Sequence, residues 1–180
     1  MLDLIARLLV ENVQPRTGRG GWHGGPTPAG ALRGVSAEQA AWIPAPGRKS
    51  IWQLTLHIAY WKYAVRRRLD GAAEGEAVRF PRMPANWPRV PEAATARAWR
   101  ADVALLKAEQ ERLVATIAAV PVSRYGEALP SGKRWVVGEL ILGIAQHDAY
   151  HTGQIQMLKR LWVATHPAGR GGPRRRGRVA

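Results

Sequence analysis

Residues 50–69 read SIWQLTLHIAYWKYAVRRRL, and their spacing predicts a helix with both ends marked. Ser50 stands three residues before Gln53, the capping-box arrangement in which each side chain satisfies the other's backbone N–H. Arg66, Arg67 and Arg68 fall in the last turns, and Gly71 lies just beyond. The helix macrodipole favours cations at that end, and glycine is the usual residue where a helix stops in the left-handed region. The arginine cluster is therefore read as a helix-end device ahead of a binding role. In the middle of the segment sits His57, with apolar or aromatic residues on both sides.

Working outward, three more segments carry helical periodicity. Leu2 to Val13 places Leu2, Ile5, Leu8 and Leu9 on one face and stops at QPRTGRGG. A Gly- and Pro-rich loop follows, and Ser36 with Gln39 marks a short helical turn at SAEQAAW. Residues 80–92, FPRMPANWPRVPE, hold four prolines in thirteen residues and cannot be helical throughout. The third helix is expected from about Glu92 to Ala119, with Val103, Leu106, Leu113 and Ile117 at helical spacing. After the loop VSRYGEALPSGKR comes WVVGELILGIAQHDAYHTGQIQMLKRLW, residues 135–162, apolar in its first half and amphipathic later. No stretch alternates with period two for long enough to suggest a sheet. The expectation is an all-α four-helix bundle, one domain over residues 1–162. Residues 163–180, rich in Gly, Pro and Arg, are expected to form a disordered basic tail.

Bulk composition narrows the function classes. The 180 residues suffice for one domain with a real core. No apolar run is long enough to span a bilayer, and Asp3, Arg7 and Glu11 interrupt an N-terminus that lacks the features of a signal peptide. A cytoplasmic protein is expected. With no cysteine, disulfides, thiolate ligands and a cysteine nucleophile are all excluded. The net charge of +14 invites a nucleic-acid reading, but five of the arginines sit in the tail GRGGPRRRGRV and the eight tryptophans are not interleaved with basic runs. Nonspecific attraction of the tail to polyanions is the most this charge implies.

The stretch HDAYH, His147 to His151, sets two imidazoles one turn apart on one helix face, near enough to share one ion. A pair alone is weak evidence, because paired histidines also occur on solvated faces. His57 changes the weighing: bundle cores build metal sites from facing helices, so a second helix opposite the fourth would supply a third ligand. Three neutral histidines without cysteine suit Zn, Ni or Fe as a divalent ion and leave positions open for water or substrate. Tyr60 and Tyr150, each three residues after a proposed ligand, are candidate proton-transfer groups. His23, in GGWHGG, is either an exposed loop histidine or a residue folding over the metal face. Glu139 lies two turns from His147, too far to ligate. Asp148, about a quarter turn off the ligand face, is read as a surface residue or an outer partner of the site.

These residues resemble a known family. SIWQLTLHIAYWKYAVRRRL followed by GIAQHDAYHTGQIQMLKRL is similar to the DinB-like, damage-inducible family of metal-binding four-helix bundles, and WHG and EQAAWIPAPGRKSIW resemble one branch of it. The resemblance spans Trp22 to Leu161. It implies an up-down-down-up bundle, often a homodimer, with a divalent metal held by His57, His147 and His151. It also implies a metal-dependent enzyme of thiol S-transferase or hydrolase type, acting on a small-molecule substrate such as a low-molecular-weight thiol. The competing class is a non-catalytic, metal-stabilised dimeric bundle whose basic tail binds an acidic partner. The breaks at QPRTGRGG and GGPTPAG depart from the longer first helix frequent in the family.

Overall fold

The described α-helices after the first begin where a side chain or a proline takes over the first unpaired backbone groups. The computed structural model describes residues 2–15, 24–71, 79–129 and 135–167. In chain order these hold α1 (Leu2–Val13), two short turns, α2 (Pro28–Ala31) and α3 (Ala37–Ala41), and the long helices α4 (Ile51–Leu69), α5 (Ala96–Ala119) and α6 (Val137–Thr165). A 3-10 turn, Val122–Gly126, precedes α6. No strand occurs among the described residues; a single antiparallel bridge joins Ala128 to Val136.

The capping box at α4 is complete. The Gln53 N–H donates to Ser50 Oγ at 3.1 Å, and the Ser50 N–H donates to Gln53 Oε1 at 3.0 Å. Ser36 caps α3 in the same way, accepting the Gln39 N–H at 3.1 Å. α2 escaped the periodicity because four residues make barely one turn. Thr27 caps it, and Pro28 takes the first helical position, where no N–H is needed. α5 begins at Ala96, four residues after the expected Glu92, because Thr95 is the residue that caps it, accepting the Ala98 N–H at 3.2 Å. Val136, at the start of α6, has no side-chain acceptor; the Glu139 carboxylate instead takes the Val136 N–H at 2.9 Å. α6 runs to Thr165, three residues past Trp162. The chain from Ala168 on lies outside the described residues.

Side-chain pairs fix the relative directions of the helices. Trp52 meets Asp102 and Arg66 meets Glu109, so α4 and α5 run parallel. His57 meets His147, while Trp61 and Val65, further along α4, share a cavity wall with Ile144 and Leu140, earlier in α6. α6 is therefore antiparallel to α4. The long connection from α4 to α5 permits the parallel pair, as in bundles with a crossover. Its middle is pinned by a buried carboxylate: Asp102 accepts Trp52 Nε1 at 2.8 Å and the Arg82 guanidinium at 2.7–2.8 Å.

Two apolar clusters fill the bundle. One gathers Ala31, Leu32, Trp52, Leu56, Trp99, Leu106 and Ile155; the other gathers Val13, Val65, Leu69, Leu113, Ile117, Val137 and Ile141. Between them each long helix contributes buried polar groups: His57 and Lys62 from α4, Glu109 from α5, Asp148, His151 and Thr152 from α6. The polar layer is where the candidate site lies.

Removing the Asp102 carboxylate strands a buried indole N–H and a guanidinium. Asp102→Ala is expected to cost about 3–5 kcal/mol in denaturant unfolding, and Asp102→Asn less, because the amide oxygen still accepts one of the two bonds.

Candidate metal centre

α4 carries His57 and α6 carries His147 and His151, one turn apart, and the antiparallel packing points all three rings into one space. One ring nitrogen from each lies within 4.8 Å of the other two. Nitrogens on opposite sides of one ion, each about 2.1 Å from it, stand roughly 4.2 Å apart, so small ring rotations complete a three-nitrogen site. His57 Nε2 and His147 Nε2 are already 3.1 Å apart.

The surroundings decide which nitrogen two of the rings offer. His57 Nδ1 donates to the Asn86 carbonyl at 2.5 Å, which leaves its Nε2 lone pair facing the site. His151 Nδ1 meets Gln154 Oε1 at 2.7 Å, again leaving Nε2. His147 Nδ1 is buried without a protein partner. The Asn86 carbonyl is turned inward by a left-handed backbone, φ 68°, which asparagine tolerates better than most residues. The Asn86 side chain accepts Trp61 Nε1 at 2.9 Å. Trp87 stacks on the His57 ring, centroids 3.8 Å apart and planes 8° from parallel, and Lys49 Nζ sits 4.6 Å from the Trp87 ring.

Beneath the rings, Lys62 pairs with Asp148, both buried. Burial pushes the Asp148 carboxyl up, and the Lys62 ammonium partly offsets that. Asp148 is thus an inward partner of α4 and not a surface residue. Burial also lowers all three imidazoles: His57 to about 4, His147 to about 3, and His151 below its ordinary value. The rings repel one another's charge, Lys49 adds to this at His57 and Lys62 at His147, while the Asn86 carbonyl favours the charged form of His57. Gln154 and Asp148 favour the charged form of His151. Neutral imidazoles are the form that ligates, and two of the three have their Nδ1 engaged by a neighbouring group, so the donor set fits a divalent metal ion.

The other candidates are placed differently. The Tyr60 ring packs against Phe80, Tyr63 and Trp61. Tyr150 is 65% exposed, with its ring 4.9 Å from that of His151. His23 lies outside the described residues. Asn86 and Trp87 carry no signal in the sequence beyond membership of a proline-rich loop. Lys62 reads as an ordinary helix-surface cation until α6 is set beside it.

Because the folded histidines hold their protons less tightly than unfolded ones, the unfolded state binds more protons below about pH 6.5. Metal-free protein should hold its stability above that pH and lose it as pH falls towards 4, read as melting temperature against pH in chelator. Asp148, shifted upward, acts in the opposite direction, so the histidine share is read from the flattening of that profile in His57→Ala and His147→Ala.

No helix among the described residues is long and apolar enough to cross a membrane. No curated protein and no solved structure matches the chain. A family profile does: that of the DinB superfamily matches residues 29–155, which take in α2 to α6 through Ile155 and all three histidines. The match covers well over half of the sequence, and the chain belongs to the DinB superfamily.

Proposed function

We propose that the chain is a metal-dependent enzyme of thiol S-transferase or hydrolase type. The observation that carries this reading is the convergence of three neutral imidazoles from α4 and α6, with His57 and His151 buried and half-buried His147 in the wall of an open cavity of about 270 Å3. A purely structural ion is normally closed off by four protein ligands, whereas three ligands leave room for a reactant. A divalent ion of zinc, nickel or iron, held by His57, His147 and His151, would acidify a water or thiol brought to it and polarise a carbonyl. The protein's own share is orientation and exclusion. Asn86 and Gln154 hold two of the rings by Nδ1, and Trp87 covers one face of His57. In this reading Tyr150, exposed with its ring 4.9 Å from that of His151, would pass a proton to or from solvent at that edge. The reacting partners in this reading are a small electrophile or ester and, for the transferase type, a low-molecular-weight thiol.

A homodimer, acting in the cytoplasm, belongs to the same proposal. α1 turns Leu9, Val10 and Val13 to the core and leaves Leu4, Ile5 and Leu8 exposed, so the apolar face expected from Ile5 to Leu9 is only partly covered. An apolar stripe of that kind is what a second copy would cover.

Elemental analysis of purified protein should find about one divalent ion per chain, and His147→Ala should lose it. A screen of thiols against electrophiles, and of esters, should find an activity that chelation removes and added metal restores. Retained ion with no turnover would favour a non-catalytic, metal-stabilised bundle, and a chelator-insensitive activity would sink the metal reading. Separately, Leu8→Glu should shift the chain from dimer to monomer in size-exclusion chromatography with light scattering.

A further inference from the structure

The cavity beside the histidines has a chemistry of its own. It lies between Trp61 and Val65 of α4 and Leu140 and Ile144 of α6, with half-exposed Trp135 at one side and His147 in its wall. Gly143, one turn before His147, lines it without a side chain, and a Cβ built there would meet nothing within 4 Å. Two charged residues complete the lining, Arg68 and Glu139. They are not equivalent. The Glu139 carboxylate is engaged by the Val136 N–H at the start of α6. Arg68 has no carboxylate partner among the described residues, and its guanidinium lies 5.7 Å from the centre of the Trp61 ring.

The helix rise places Arg68 about 10 Å further along α4 than Trp61, and Glu139 about 12 Å from His147 along α6. The lining thus follows both helices: an apolar slot with His147 towards one end and, towards the other, Glu139, already engaged by a backbone N–H, and Arg68, a cation with no carboxylate partner among the described residues. Its volume, about 270 Å3, is small for a ligand pocket, suiting one ring or a short branched chain and excluding a nucleotide or peptide.

We propose that this slot binds a small carboxylic acid with an aromatic or branched aliphatic body, carboxylate on Arg68 and the opposite end at His147. The inference rests on the metal-enzyme reading only for what happens at that opposite end. An acid lying this way presents the carbon farthest from its carboxylate to the metal centre, so the reacting group would be at the tail of the molecule. The missing side chain at Gly143 keeps the passage from slot to histidines open.

The test uses the full chain in chelator, so that no carboxylate can be held by an ion. 3-Phenylpropionate and its neutral counterpart 3-phenylpropan-1-ol are titrated calorimetrically. The acid should bind, and the alcohol about tenfold more weakly, as expected for loss of a charge-assisted bond. Gly143→Leu fills the slot with a good helix former at a site free of clashes, and should abolish binding of both while leaving the circular dichroism and the zinc content of reloaded protein unchanged. Arg68→Gln should weaken the acid about tenfold and leave the alcohol as it was. Gly153→Leu, on an exposed part of α6, should change neither. Absence of acid binding, equal binding of acid and alcohol, or acid binding that survives Gly143→Leu would overturn the proposal. Zinc retention by the wild-type chain, measured on the same preparations, tests the metal reading separately.

Discussion

The site depends on a buried ion pair between α4 and α6. Lys62 and Asp148 are 1% and 5% exposed and face each other in the polar layer between two apolar clusters. Such a pair adds little net stability, since desolvating both charges offsets most of their attraction; an apolar pair of the same volume often does as well. What it supplies is discrimination. If α6 rotated or slid by one residue, both charges would be buried unpaired, at a cost of several kcal/mol. Apolar contacts alone are non-directional and penalise the same slip far less. Lys62 lies five residues after His57, and Asp148 is next to His147. The register that satisfies the pair is therefore the register that brings the three rings together.

A second constraint comes from outside the bundle. His57 is held by the loop between α4 and α5, through the Asn86 carbonyl and the Trp87 ring. That loop is in turn tied to the bundle by Arg82 on Asp102, the carboxylate that also takes the Trp52 N–H. A chain of contacts thus runs from α5 through the loop to the His57 ring. The positive φ of Asn86 belongs to it, because only that turn of the backbone aims the carbonyl back at His57. Gln154 does the same service for His151 from one turn along its own helix and needs no loop.

How legible the sequence was follows from this division. Features encoded within one helix could be read directly: the Ser50–Gln53 box, the turn at Ser36, the His147–His151 spacing and the buried position of His57 all stand as expected. Features that exist only between elements could not. Lys62 has no partner within its own helix, and the role of Asp148 appears only once α6 faces α4. Asn86 and Trp87 sit in FPRMPANWPRVPE, where proline removes any periodicity and the conformation is set by contacts to distant residues. The start of α5 shows the same limit on a small scale. Charged and apolar residues continue the helical pattern upstream to Glu92, but only Thr95 can cap it.

The layered build also gives the site a direction. On one side the Trp87 ring lies flat on His57 with Lys49 beyond it, so that face is closed by aromatic contact and carries positive charge. On the other side His147 borders the apolar cavity, and the wall opposite Trp61 lacks a side chain at Gly143. In the proposed reading a reactant would approach His147 along the cavity, between two helices whose register the Lys62–Asp148 pair fixes, and not across the tryptophan. A helix buried for stability alone would place a leucine or alanine at position 143, which would fill the gap and improve helix propensity by about 1 kcal/mol. Glycine there is a local loss of stability that coincides with an opening beside His147, the pattern expected where a packed core is interrupted for a site.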